Sequence, residues 1–136
     1  MATDPDWELV EELGGEQRLH ELMTRFYDRL FADMMIGFFF TGLDKAHLVD
    51  SQISYIRARL GGSRTSYEGP PIRKAHQHLP ILVGHFDRRH QILKEVLTEY
   101  QLADHVRDAW LGLDASLRDL IVRTGNDARE RMLKDQ

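Results

Sequence analysis

The stretch Leu19-His-Glu-Leu-Met-Thr-Arg-Phe-Tyr-Asp-Arg-Leu-Phe31 carries the clearest structural signal in the chain. Its apolar residues recur at offsets of three and four positions, which is the spacing of one face of an α-helix. The helix is predicted to begin after Gly14-Gly15, because a glycine pair separates helices at little conformational cost. The stretch therefore indicates an amphipathic helix with one side in a core.

The same periodicity continues along the rest of the chain. Further helices are predicted over residues 44–60, from Phe86 onward, and over residues 104–121, with Asp104 as the N-cap of the last one. Residues 63–69 are predicted to be irregular, and no strand or hairpin pattern is seen. The fold class is therefore all-α, and the unequal helix lengths favour globin-like packing over a regular up-and-down bundle.

Composition limits the kinds of partner and site. The 136 residues are 42% hydrophobic, which suits a single domain with one core. A formal charge of -4 does not favour nucleic acid or an anionic membrane as a partner. Cysteine is absent, so disulfides and thiolate ligands are excluded. No secretion signal or membrane span is recognised, and we expect a cytoplasmic protein that binds a small molecule.

The sequence His76-Gln-His-Leu-Pro-Ile81 places a histidine on a short helix that Pro80 must end. Ile72 and Leu79 share one side of this helix with His76, so the imidazole is predicted to project inward between them. A metal or cofactor ligand is one interpretation. A core histidine that bonds a backbone carbonyl is the other.

Gln52 is the second unusual residue. It lies on the helical face formed by Leu48 and Ile56, where a purely structural helix would prefer an apolar side chain. A buried amide must find a hydrogen-bond partner, either a ligand or another group of the core.

Taken together, several short motifs resemble those of the truncated haemoglobins, most closely the first group of that family. They occur in the family's order and spacing across nearly the whole chain: Gly14-Gly15, Phe26-Tyr27, Phe39-Phe40-Thr41-Gly42, Leu60-Gly61-Gly62, Tyr67-Glu68-Gly69, His76 with Ile81, and His85-Phe86. The resemblance implies one truncated globin domain over residues 1–136, with a core of about 10–123 and a polar tail over 124–136. It also implies a two-over-two helical sandwich around one haem b (iron protoporphyrin IX), with His76 as the proximal iron ligand.

On the distal side, the resemblance places the Tyr27 hydroxyl over the iron, with Gln52 beside it. Both groups would donate hydrogen bonds to a partly negative dioxygen ligand and slow its release. Leu48 matches the position nearest the ligand and cannot coordinate iron. A shift of one residue in the helical register would instead turn His47 toward the iron as a sixth ligand.

The resemblance also implies a set of further haem contacts. Phe40 matches the haem-packing phenylalanine, and Tyr67, Arg73 and Lys74 are expected near the propionates, although basic residues beside a short helix are often simply solvated. The remaining expected contacts are Tyr55, Ile56, Ile72, Leu79, Ile81, Phe86 and Arg89.

Arg89 departs from the family pattern, since it lies on the stripe between Phe86 and Leu93 where an apolar residue is usual. A buried guanidinium needs an anion. Arg89 is expected to extend along its stem to solvent, with pairing to a propionate as one alternative. The other alternative is that it lines the distal cavity and favours anionic ligands such as nitrite or cyanide.

Four functions are compatible with these features. The first is reversible binding of dioxygen, nitric oxide, carbon monoxide or another diatomic ligand. The second is nitric oxide dioxygenation, which would need an external reductase, and the third is gas or redox sensing through a partner. The fourth is a haem-free helical interaction domain in which His76 serves the core alone.

Overall fold

The computed structural model describes residues 9–60 and 72–122, apart from the side chain of Arg73. These residues form seven α-helices and one 3-10 helix, and no strand occurs in these two ranges. The helices are α1 (Leu9–Leu13), α2 (Glu16–Ala32), α3 (Lys45–Arg59), α4 (Ile72–His76), α5 (Val83–Glu99), α6 (Asp104–Ser116) and α7 (Arg118–Ile121), and the 3-10 helix spans Gly37–Phe40. The all-α prediction is therefore confirmed for this part of the chain.

The core lies between two helix pairs. Helix α2 packs against both α3 and α5, while α5 packs against α6 and the short α4 against α7. The face of α2 that the sequence predicts is buried, with Leu19, Leu22, Met23, Phe26 and Leu30 at most 1% exposed. The α2–α3 pair therefore lies on the α5–α6 pair, with α2 and α5 in contact between them.

Local residue choices explain where the helices begin. Gly14 and Gly15 have φ angles of 96° and 119°, in the left-handed region where only glycine is unstrained, so the chain can turn sharply from α1 into α2. Asp44 caps α3 by accepting a hydrogen bond from the backbone nitrogen of His47 at 3.3 Å. Both observations agree with the predicted starts of α2 and α3.

Three expectations about the helices need correction. Ala103, not Asp104, is the N-cap of α6, and Asp104 is the first residue of that helix. The predicted last helix is interrupted at Leu117, after which α7 begins. Leu120, predicted in the buried stripe, is 38% exposed, whereas Ile121 beside it is buried. Residues 61–71 and 123–136, which include Gly61-Gly62 and the polar tail, lie outside the described residues.

Within the described ranges, no helix is both long enough and apolar enough to cross a lipid bilayer.

Candidate functional site

The imidazole of His76 is held in one orientation at the end of α4. Its Nδ1 lies 2.7 Å from the carbonyl oxygen of Ile72, one helical turn earlier, and the side chain is half-buried. A carbonyl oxygen can only accept a hydrogen bond, so Nδ1 must carry the proton. Nε2 of the neutral ring is then the unprotonated nitrogen with a lone pair that can bind a metal.

The surroundings also keep this ring neutral. Burial lowers the pKa of His76 below its ordinary value, the hydrogen bond to Ile72 acts in the opposite direction, and electrostatic interactions with Arg89 and His78 lower the pKa further. Only a neutral imidazole can coordinate a metal. The environment of His76 therefore favours the protonation state that metal binding needs.

Tyr27 is fixed among aromatic rings on the buried face of α2. Its side chain is 7% exposed. The ring makes edge contacts with Phe26, at a centroid distance of 5.4 Å, and with Phe40 of the 3-10 helix, at 6.3 Å. Such contacts leave a tyrosine little rotational freedom, so its hydroxyl has a defined direction. Phe26 itself is fully buried and packs in the core, as predicted.

Helix α3 shows the face that the sequence pattern predicts. Leu48 and Gln52 are half-buried, Ile56 is buried, and His47 is exposed. Ser51 and Gln52 are both half-buried, and Tyr55 and Ile56 are both buried, so the two registers differ only in that His47 is more exposed than Leu48, and the choice between them stays a prediction. Within residues 9–60 and 72–122, the Gln52 amide makes no hydrogen bond. It is therefore a donor that a ligand could use.

The other predicted contact residues differ in exposure. Ile81, Phe86, Tyr55 and Ile56 are buried, whereas Phe40, Ile72 and Leu79 are half-buried at the edge of the same core. Lys74 is exposed on α4. Tyr67 and the side chain of Arg73 lie outside the described part of the chain.

Arg89 does not extend to solvent, and that expectation is wrong. Its side chain is 17% exposed, and Nη1 lies 2.5 Å from Oδ1 of Asp114 on α6. The guanidinium carbon lies 5.2 Å from the centre of the Phe26 ring. A further hydrogen bond runs from the guanidinium to the Tyr27 hydroxyl. Arg89 stays inside because α6 supplies the anion that a buried guanidinium requires.

Asp114 and His90 were missed by the sequence analysis. Asp114 is 2% exposed, and its second oxygen, Oδ2, lies 2.8 Å from Nδ1 of His90. One signal was present: Asp114 follows Val106 and Trp110 at four-residue steps, so a carboxylate occupies a core position of α6. That pattern marks Asp114 as a buried acid, but only the packing of α5 against α6 shows that Arg89 is its partner.

The charges of this pair stabilise each other. Burial alone would raise the pKa of Asp114, but the charge of Arg89 outweighs it and lowers that pKa, with help from the hydrogen bonds of His90 and Arg89. Burial alone would likewise lower the pKa of Arg89, and Asp114 raises it instead. Both groups are therefore ionised inside the core at neutral pH.

The sequence of this chain is similar to those of known globins. Residues 8–123 match the family model of the bacterial-like globins. The chain is 30% identical to the group 1 truncated haemoglobin GlbN of Mycolicibacterium paratuberculosis. The aligned region is 109 residues long and covers 80% of this chain and 79% of that protein. It is 30% identical over 98 residues to a group 1 truncated haemoglobin of Tetrahymena pyriformis, covering 72% and 80% of the two chains.

Solved structures show the same architecture. A variant of the Tetrahymena pyriformis truncated haemoglobin in its Fe(III) form superposes with a TM-score of 0.76 at 26% identity, over 86% of this chain and 99% of that one. The 2/2 haemoglobin of Synechococcus sp., with covalently attached haem, also gives 0.76 at 26% identity, over 85% and 99%. The predicted two-over-two globin fold is thereby confirmed.

The residues of this site suit the cofactor that the family carries. His76 offers one nitrogen ligand, and the half-buried apolar residues Ile72, Leu79, Leu48 and Phe40 lie at the edge of the core, which suits a flat apolar ring. Given this fit, the match over residues 8–123 and the similarity to group 1 relatives, the chain belongs to the truncated haemoglobins of the bacterial-like globin family.

Proposed function

We propose that the chain is a haem b protein that reversibly binds dioxygen and other diatomic ligands, such as nitric oxide and carbon monoxide. His76 holds the iron through Nε2, while Tyr27 and Gln52 stabilise the ligand. The observation that carries the proposal is the 2.7 Å hydrogen bond between His76 Nδ1 and the Ile72 carbonyl oxygen, which leaves Nε2 as the metal-binding nitrogen.

The proximal side supports this assignment in two ways. The Ile72 carbonyl fixes the plane of the imidazole and makes Nε2 a stronger donor, as acceptors behind metal-binding histidines commonly do. The pKa of His76 is lowered by burial, so the ring is neutral at physiological pH. Haem iron held by such a histidine supplies a coordination position for a diatomic gas. We assign the exposed Lys74 to a haem propionate, and Tyr67 and Arg73 remain predictions for that edge.

The distal side supplies donors aimed from two helices. The Tyr27 hydroxyl lies beside the Arg89 guanidinium, and because a guanidinium can only donate, Tyr27 accepts this hydrogen bond through its oxygen. Gln52 stands on α3, on the same face as Leu48, and adds an amide donor. A ligand with partial negative charge would gain a charge-assisted hydrogen bond from each, whereas carbon monoxide would gain less.

The test is rapid-mixing kinetics of the haem-loaded ferrous protein. Tyr27→Phe and Gln52→Leu are each expected to raise the dissociation rate of dioxygen about 10- to 100-fold, the range for hydrogen bonds to charged groups. The dissociation rate of carbon monoxide should change by less than about threefold. Tyr100→Phe and Gln91→Leu are matched controls, because Tyr100 contacts Arg18 and Gln91 bonds Glu95, both away from this site. Unchanged dioxygen release in both site variants would contradict the distal assignment.

The same preparation separates the alternative roles. Reversible binding without turnover identifies a carrier. Steady consumption of nitric oxide, sustained by an added reductant, would identify a dioxygenase that depends on an external reductase. Ligand-dependent binding of another protein would identify a sensor.

A further inference from the structure

The buried cation next to Tyr27 is not explained by the stability of the fold alone. A buried ion pair is weak evidence for stability, because apolar residues of similar size often serve as well. Yet Arg89 lies in the core with its guanidinium beside the hydroxyl that we assign to ligand binding. Its charge also lowers the pKa of His76, which we assign as the iron ligand. The position of this cation therefore calls for an explanation in terms of the ligand.

The contacts of Arg89 fix the orientation of the dipole that the Arg89–Asp114 ion pair forms. Asp114 holds Nη1 at 2.5 Å from the α6 side, while the Phe26 ring and the Tyr27 hydroxyl lie on the α2 side. The positive end of the pair therefore faces α2, and the negative end faces α6. In a medium of low dielectric constant, a fixed dipole with its positive end toward a site stabilises negative charge there.

The carboxylate is anchored so that this direction is maintained. Asp114 is 2% exposed and is bound from its other oxygen by His90 at 2.8 Å. Because each oxygen has its own donor, Asp114 cannot turn without losing one bond, and Arg89 cannot swing away without leaving a buried charge. The guanidinium is thus preorganised, and its planar fork carries more N–H donors than those that bind Asp114 and Tyr27.

Resting on the proposed function, we propose that Arg89 is a specificity-determining residue of the ligand site, whose positive charge strengthens the binding of small anions, such as azide and nitrite, but not the binding of neutral carbon monoxide. Asp114 moderates this effect, because its negative charge partly offsets the guanidinium.

The experiment compares anionic and neutral ligands of the haem-loaded protein. Equilibrium dissociation constants are measured for azide and nitrite in the ferric form and for carbon monoxide in the ferrous form, and the C–O stretching frequency is recorded by infrared spectroscopy. Arg89→Leu is expected to weaken azide and nitrite binding about 10- to 100-fold, with carbon monoxide affinity changed by less than about threefold. The C–O stretch should move to higher frequency as the positive field is lost.

Matched variants test whether the effect belongs to this charge. Arg88→Leu removes the neighbouring arginine of α5, which pairs with Asp33 at 2.8 Å away from Tyr27, and should leave all three affinities unchanged. Asp114→Asn should strengthen anion binding, because the guanidinium then stands unneutralised. If Arg89→Leu does not fold with Asp114 left unpaired, Arg89→Met/Asp114→Leu removes both charges and should show the same loss of anion affinity.

The outcomes separate this inference from the proposed function. Anion affinity in Arg89→Leu or the double variant within threefold of the wild type would overturn the inference while leaving haem binding intact. So would an equal loss of carbon monoxide and anion binding, since that indicates a distorted pocket. A wild-type protein that binds no haem would overturn both.

Discussion

Removing the carboxylate of Asp114 should destabilise the protein more than removing any surface ion pair. Asp114 lies 2.5 Å from Arg89 Nη1 and 2.8 Å from His90 Nδ1, and the side chains of Asp114 and Arg89 are 2% and 17% exposed. Two unit charges about 4 Å apart at an effective dielectric constant of about 20 interact by roughly 4 kcal/mol. Asp114→Ala should therefore lower the free energy of unfolding by about 3–5 kcal/mol, which is the usual cost of breaking a buried pair.

The assay is chemical denaturation of the haem-loaded protein, followed by circular dichroism at fixed protein and haem concentrations, since haem bound to the native state adds stability by mass action. In a thermal unfolding scan of the same samples, the melting temperature should fall by roughly 10–20 °C. Arg89→Met/Asp114→Leu should recover most of the loss, because neither charge is left unpaired. Lys45→Ala breaks an ion pair with Asp28 in which both side chains are 45% exposed, and should cost less than about 1 kcal/mol. A loss below about 1 kcal/mol in Asp114→Ala would refute the reasoning.

Three further perturbations follow from the structure. Arg89 lowers the pKa of Asp114 from its ordinary value of 3.8. The stability that this carboxylate contributes should therefore be complete above about pH 4 and lost as the pH falls through the lower pKa of the folded state. The difference in unfolding free energy between wild type and Asp114→Asn should shrink in that acid range. Gly37→Ala should destabilise the protein by roughly 1–3 kcal/mol, because the added Cβ would lie 2.8 Å from the backbone oxygen of Phe31. Gly112→Ala is the matched control, because a Cβ at this position of α6 meets open space, and it should stabilise the protein by about 0.5–1 kcal/mol in the same denaturation assay. Asp44→Ala should cost about 1 kcal/mol by removing the N-cap of α3, and Asp44→Ser should restore most of it.

Sequence periodicity predicted the long helices well because their buried faces are continuous. The buried face and the start of α2 follow directly from apolar spacing and glycine placement, and the extent of α3 follows from apolar spacing. Periodicity failed where the chain changes direction within a helical pattern. At Leu117 the apolar spacing continues across the interruption, so a single helix was predicted where α6 and α7 are separate.

The site was predicted unevenly for a related reason. His76 and Gln52 stand out as candidates because each is a polar residue at an apolar position of its own helix. The partner of Arg89 could not be found in the same way, because it depends on which faces of α5 and α6 meet. Asp114 is 25 residues away along the chain, and only the packing of the two helices brings the charges together.

The role of His76 as the iron ligand is tested most directly by absorption spectroscopy of the haem-loaded protein in its ferric, ferrous and carbon monoxide forms, with His76→Gly compared in the presence and absence of imidazole. We predict stoichiometric haem binding in the wild type, loss of proximal ligation in His76→Gly, and its return when imidazole fills the space left by the side chain. Spectra of His76→Gly identical to those of the wild type would contradict His76 as the ligand, and a wild-type protein without stoichiometric haem binding would contradict the account as a whole.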